Sequence, residues 1–247
     1  MNEQLLGYLF DDKPSTHVLA TPMGRWIGSS RRFEAFATTY RDKIRKKIRV
    51  TQSGAAIKEL EVELETAYWL LQERRLAVAY ESYSSEKTRG PDFAVTFKSI
   101  TFNVEVTRIG SREMEGTLAA AEGATTAWAE PQQAAGRLMD TVCDKLGQMR
   151  PGMINVLMVA TDRDFAGVLD LNQAMARLKE RAERREAGLF GRYGFANTAD
   201  FFRYYLRLSG VLVRTAVEQD GTAHSVLWAN NQAKHAIPGP IRTILQR

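Results

Sequence analysis

The segment from residue 89 to residue 109 alternates apolar and polar side chains in two short runs, which predicts two antiparallel strands joined by a tight turn. With the turn placed at Ser99–Ile100, Asp92 faces Thr107, and Glu105 lies diagonally across from Asp92 on the same face. The opposite face is apolar. Diagonal neighbours lie about 7–8 Å apart, so the two acids repel each other unless a cation or a base lies between them. This pattern favours a metal site over ordinary packing.

The hydrophobic pattern elsewhere predicts alternating helices and strands. Residues 1–30 are weakly patterned and contain Pro14, Pro22, Gly24 and Gly28, which predicts an arm or short elements that pack late. The apolar run 153–162 predicts a strand covered on both faces, of the parallel kind. A 3.6-residue period of apolar positions predicts helices over residues 32–49, 56–74, 132–149, 170–187 and 198–208. A strand is predicted at 76–83, a hairpin around the turn at 219–222, and a short helix at the C-terminus.

Two charged residues project into the apolar stripes of predicted helices. Glu63 lies within the apolar face of helix 56–74, where a carboxylate is costly unless it is paired; an ion pair or a helix-edge position is the alternative to a functional role. Lys145 projects into the apolar stripe of helix 132–149, with Gln148 at the edge of that face. A lysine whose stem lies along apolar surface and whose ammonium reaches water explains Lys145 equally well.

The helix predicted over 32–49 is strongly basic on one side. Its cations could be a solvated surface or could contact the phosphates of a nucleic acid. They are Arg41, Lys43, Arg45, Lys46, Lys47 and Arg49.

Composition adds modest constraints. The chain has 247 residues, of which 44% are hydrophobic and 26% charged, and its net charge of +5 is compatible with a polyanionic partner. Cys143 is the single cysteine and cannot form an internal disulfide, which favours a reducing compartment. The sequence shows no secretory signal and no apolar run long enough to span a membrane, so we expect a cytoplasmic protein. The three histidines lack the spacing of metal ligands.

Asp92 after a proline, with Glu105 on the next strand, resembles the PD-(D/E)xK nuclease superfamily, which has the restriction-endonuclease-like fold. The order of predicted elements over residues 57–161 is similar to the α-β-β-β-α-β core of that superfamily. The resemblance implies an α/β protein with a mixed sheet, an added N-terminal helix and a C-terminal hairpin. It also implies an N-terminal arm and basic helix over 1–55, a nuclease-like core over 56–165, and C-terminal helices and a hairpin over 166–247 packed on the core.

The resemblance further implies Mg²⁺ or Mn²⁺ bound by Asp92 and Glu105, with Glu63 contributing directly or through a water, and hydrolysis of phosphodiester bonds in nucleic acid, DNA above all. The third motif of the superfamily ends in a lysine, and this chain has Thr107 at that position. Lys145 is our candidate for the positive charge that is missing there. Two alternatives stay open: a catalytically inactive binding module of the same fold, and an unrelated α/β scaffold whose acids pair with arginines such as Arg89. A homodimer also stays open.

Overall fold

The computed structural model describes residues 2–11, 17–51, 53–83, 90–110, 131–215 and 223–247, and Arg89 and the predicted 219–222 turn lie outside them. Within these ranges the chain is an α/β protein with eleven helices and one six-stranded mixed sheet. The strands lie in the sheet in chain order: β1 Leu76–Tyr80, β2 Phe93–Phe97, β3 Ile100–Ile109, β4 Ile154–Thr161, β5 Gly210–Thr215 and β6 Ser225–Ala229. The predicted parallel arrangement of β4 is confirmed, since β4 pairs in parallel with both β3 and β5, whereas β6 is antiparallel to β5.

The chain divides into two compact units. The first comprises Met1–Tyr80 with Val95–Ile100, and the second comprises Glu81–Ala94 with Thr101–Arg247. Asp92, Glu105 and Lys145 all belong to the second unit, whereas Glu63 and the basic helix belong to the first.

The first unit contains five helices, which are α1 Asn2–Leu9, α2 Ala20–Ser29, α3 Arg31–Thr39, α4 Arg41–Val50 and α5 Gly54–Gln72. Residues 1–30 were expected to form an arm or short elements, and their described part forms the two short helices α1 and α2. Pro22 lies in the first turn of α2, where a missing N–H breaks no helical hydrogen bond. The helix expected over 32–49 is two helices that meet at Tyr40. Ser30 caps α3 through Phe33 N.

Aromatic rings fill the interior of the first unit. Phe33 and Phe36 are stacked with centroids 5.9 Å apart, and Phe36 also contacts Tyr80 of β1 at 5.8 Å. The Arg32 guanidinium donates to the carbonyl oxygens of Leu71, Glu73 and Leu76, which follow from the last turn of α5 into β1. The bond to Leu71 satisfies a carbonyl that the end of α5 leaves without a helical partner, and the other two bonds tie Arg32 to the connection into β1.

The second unit contains six described helices, which are α6 Pro131–Leu146, α7 Arg163–Val168, α8 Leu171–Glu183, α9 Ala187–Tyr193, α10 Thr198–Tyr205 and α11 Gly239–Leu245. The predicted helices at 132–149, 170–187 and 198–208 are confirmed with shorter C-terminal ends. Side chains of Asp162, Asp170 and Asn197 cap α7, α8 and α10, respectively.

Helix α6 covers one face of the sheet in the second unit. Leu138 and Val142 of α6 lie in one buried cluster with Leu157 and Val159 of β4. Glu105 is the register partner of Leu157, and partners in a sheet direct their side chains to the same face. Glu105 therefore points to the face that α6 covers.

No helix in the described part of the chain is long and apolar enough to cross a lipid bilayer.

Candidate active site

The two predicted acids, Asp92 and Glu105, both lie in the second unit, at two neighbouring strands. Glu105 is in the middle of β3 and is 2% exposed, and Asp92 immediately precedes β2 and is 7% exposed. Asp92 Oδ2 accepts a hydrogen bond from the backbone N–H of Val106 at 2.8 Å. That bond holds the Asp92 carboxylate against the residue that follows Glu105.

The hairpin that carries the acids turns one residue earlier than predicted. β2 ends at Phe97 and β3 begins at Ile100, so the turn is Lys98–Ser99 rather than Ser99–Ile100. Lys98 adopts the left-handed region with φ of 54°, a conformation that non-glycine residues adopt seldom and that the sequence did not indicate. Counting five residues outward from Phe97 and from Ile100 reaches Asp92 and Glu105. Regular pairing would thus place the acids directly opposite each other, and Thr107 would not be the partner of Asp92.

Lys145 brings a positive charge to Glu105. Its Nζ donates to Glu105 Oε1 at 2.8 Å, and the two side chains are 16% and 2% exposed. The lysine lies on the same side of α6 as the buried Leu138 and Val142, as the helical period implies. An ion pair this protected from water is stronger than one at the surface, because water screens it less.

Thr107 and Gln148 flank this pair. Thr107 follows Glu105 by two residues on β3 and is half-buried, with Val159 as its register partner. Gln148 lies just beyond the end of α6, and its backbone N–H donates to the carbonyl of Lys145 at 3.0 Å. Within the described residues, the buried Oε1 of Gln148 accepts no hydrogen bond.

Glu63 forms an ion pair inside the first unit. Its Oε1 accepts from Lys47 Nζ at 2.6 Å, and its side chain is 14% exposed. This contact is the ion pair that the sequence left open as the structural alternative for Glu63. It explains how a carboxylate is tolerated on the inner face of α5.

Intramolecular contacts engage most of the cations of α4. Arg45 and Arg49 both donate to the carboxylate of Asp11. Hydrogen bonds from Arg49 first, and then from Arg45, lower the pKa of Asp11 to about 2. Lys43 donates to the carbonyl of Tyr80 at 3.3 Å. The remaining candidates also differ in surroundings: Lys47 pairs with Glu63, Arg41 lies over the Tyr8 ring, and Lys46 is exposed.

The oxygen donors at the site suit a hard divalent cation. Mg²⁺ is commonly held by one or two carboxylates together with waters and substrate phosphates, so the pair Asp92 and Glu105 fits it. Across the described ranges, no group of three or more His, Cys, Asp or Glu side chains is placed to hold a metal ion. Cys143 offers no alternative chemistry, because burial raises the pKa of its thiol to about 12 and keeps it protonated.

Sequence reasoning missed a buried amide pair beside the acids. Asn103 on β3 and Asn155 on β4 are each 1% exposed, and Asn103 Nδ2 donates to Asn155 Oδ1 at 3.0 Å. Asn155 interrupts a largely apolar strand, which was the available signal, whereas Asn103 lies on a strand face that also carries Glu105 and Thr107. Their pairing depends on a strand register across 52 residues of chain, which the sequence pattern does not encode.

Comparisons of this chain with protein-family models, with curated proteins and with solved structures gave no match. The site is therefore interpreted from its own residues.

Proposed function

We propose that this chain is a nuclease that hydrolyses phosphodiester bonds of nucleic acid, DNA above all, with Mg²⁺ or Mn²⁺ as cofactor. The observation that carries the proposal is the placement of two buried carboxylates in the second unit: Asp92 accepts from the backbone of Val106, which follows Glu105, and Lys145 reaches Glu105. Two neighbouring carboxylates repel each other, and a cation bound between them would reduce that repulsion. Carboxylate oxygens are the ligands that hard divalent cations prefer, so such a cation is the ligand that this donor set suits best.

The chain contributes an oriented pair of oxygen ligands. The Val106 amide fixes the direction of the Asp92 carboxylate, and Lys145 fixes that of Glu105. A Mg²⁺ held there supplies a bound water of lowered pKa and neutralises charge on the phosphate.

Lys145 supplies the positive charge that Thr107 lacks. The lysine reaches Glu105 from α6, whereas Thr107 lies two residues beyond Glu105 on β3. Because Lys145 is tied to Glu105, its ammonium stays next to any phosphate that approaches the acids. There it stabilises the negative charge that develops in the transition state. We assign Lys145 this role, with Gln148 beside it as a polar neighbour.

Glu63 and α4 have smaller parts in this proposal. The ion pair with Lys47 gives Glu63 a structural role, so direct contribution of Glu63 to the cation is no longer needed to explain its position. In α4, the exposed Lys46 is the best candidate for a phosphate contact, because Arg45 and Arg49 share the charge of Asp11.

A second candidate function is a non-catalytic module that binds nucleic acid or protein. The ion pair between Lys145 and Glu105 favours it, because that pair partly neutralises the site without a cation. The two functions differ in whether the acids are used for chemistry.

A cleavage assay on a panel of substrates tests the proposed function. Linear, circular and single-stranded DNA, and RNA, are incubated with purified protein in Mg²⁺, in Mn²⁺ and in EDTA. The nuclease proposal predicts cleavage of at least one substrate that EDTA abolishes. Cleavage unaffected by EDTA, or no cleavage of any substrate in either metal, would contradict it.

A further inference from the structure

Asn103 lies beside the acids and is held in one orientation. It precedes Glu105 by two residues on β3, so both side chains point to the same face of the sheet. It is 1% exposed, and its Nδ2 donates to Asn155 Oδ1 at 3.0 Å.

The surroundings of Asn155 determine which way the Asn103 amide faces. Asn155 Nδ2 donates to the carbonyls of Arg150, Met153 and Arg207 at 2.8, 3.1 and 3.0 Å. Asn155 Oδ1 accepts from Arg150 N at 3.2 Å. A flipped Asn155 would set its oxygen against three carbonyls, so its Oδ1 must face Asn103. Asn103 must then present its nitrogen to Asn155.

The oxygen of Asn103 consequently faces away from β4. Since β3 lies between β2 and β4, Asn103 Oδ1 points to the side of β3 next to β2. The Asp92 carboxylate meets Val106 N on that same side. Asn103 Oδ1 accepts no hydrogen bond from any described residue, although it is fully buried. A buried carbonyl oxygen without a donor is costly, so an oxygen that is locked in this direction calls for a bound ion or an ordered water.

We propose that Asn103 Oδ1 is the third oxygen donor to the divalent cation bound by Asp92 and Glu105. This inference rests on the proposed function, since it concerns the same cation. Amide oxygens are regular ligands of hard cations, and a neutral third ligand avoids adding another buried negative charge. The set of two carboxylates and one amide favours Mg²⁺ or Mn²⁺ over Zn²⁺, which prefers nitrogen and sulfur.

Calorimetric titration of Mn²⁺ into the wild-type protein and into Asn103→Leu and Asn103→Asp variants tests the inference. Asn103→Leu keeps the side-chain shape and removes the oxygen, so the affinity for Mn²⁺ should fall at least about tenfold. Asn103→Asp keeps an oxygen for the cation but sets its other oxygen against Asn155 Oδ1, so its affinity should exceed that of Asn103→Leu without needing to reach that of the wild type. Melting curves in EDTA show whether each variant folds, and Asn103→Ala takes the place of the Leu variant if that variant does not fold.

The outcomes separate the inference from the proposed function. Wild-type protein that binds no Mn²⁺ overturns both. Suppose that the wild type binds Mn²⁺ and that Asp92→Asn abolishes this binding. If Asn103→Leu then binds as tightly as the wild type, or Asn103→Asp binds more weakly than Asn103→Leu, the role of Asn103 is overturned and the proposed function stands.

Discussion

Lys145→Met is the change whose effects follow most directly from the structure. Methionine keeps most of the apolar stem of the lysine and removes the ammonium that lies 2.8 Å from Glu105 Oε1. Glu105 is 2% exposed, so its charge would remain buried without that ammonium. The variant should therefore lose stability as well as activity.

The stability loss can be estimated from the burial of the pair. Removing one partner of a buried ion pair costs about 3–5 kcal/mol, and the partial exposure of Lys145 argues for the lower end. A loss of about 3 kcal/mol lowers the melting temperature of a protein of this size by about 6–12 °C. The assay is thermal and urea unfolding in EDTA, so that no cation compensates Glu105.

Lys179→Met is a matched control. Lys179 pairs with Glu183 on α8 at 3.6 Å, and those side chains are 35% and 53% exposed. An exposed pair of this kind contributes about 0–1 kcal/mol. The control should therefore unfold within a few degrees of the wild type.

Added Mn²⁺ should separate stability from catalysis in Lys145→Met. Because the variant lacks the ammonium that competes for Glu105, Mn²⁺ should stabilise it more than it stabilises the wild type. Cleavage should nevertheless fall by orders of magnitude, because the positive charge near the phosphate is lost. The reasoning would be refuted if Lys145→Met had the same melting temperature as Lys179→Met, or if it cleaved at the wild-type rate.

Three further predictions concern other parts of the molecule. Asn155→Leu should destabilise the protein by about 2 kcal/mol or more in urea unfolding, because three partly buried carbonyls lose their donor; a loss under about 1 kcal/mol would contradict the amide network. The Asp11 carboxyl should titrate near its pKa of about 2 by NMR, and Arg45→Gln combined with Arg49→Gln should return it toward 3.8. Because folding lowers the pKa of Asp11, its ionised carboxylate stabilises the folded protein above about pH 4. This stabilisation disappears as the pH falls toward 2, so a loss of structure between pH 7 and 5 would need another cause. Lys46→Gln should reduce the slope of log affinity for DNA against log salt by about 0.9 if α4 contacts phosphates, and an unchanged slope would remove α4 from the interface.

The second half of the chain was predictable because its signals are local and repeated. The apolar run that became β4 is bounded by turn residues and has apolar side chains on both faces, as a buried parallel strand requires. Lys145 followed from helical spacing, since the same period that buries Leu138 and Val142 directs it inward. Its partner Glu105, however, lies 40 residues away, and only the packing of α6 on the sheet brings the two together.

The errors arose where one residue adopts an unusual conformation, or where a contact between distant residues determines the role of a side chain. The turn was misplaced because Lys98 takes a left-handed conformation without glycine or asparagine to indicate it. The break at Tyr40 carries no proline or glycine, so the period of apolar residues continued across it. Asn103 was missed because its significance depends on Asn155 in another strand, which fixes the direction of its oxygen.

Cleavage by four matched proteins tests the central claim most directly. The wild type, Asp92→Asn, Glu105→Gln and Asp144→Asn are compared in Mg²⁺ on the substrate that the wild type cleaves best. Asp144 is an exposed acid on α6 next to Lys145, so its variant controls for loss of a nearby negative charge. The account predicts wild-type cleavage by Asp144→Asn and loss of at least about a thousandfold for the other two variants. Variants of Asp92 and Glu105 that stay folded and cleave as fast as Asp144→Asn would contradict it.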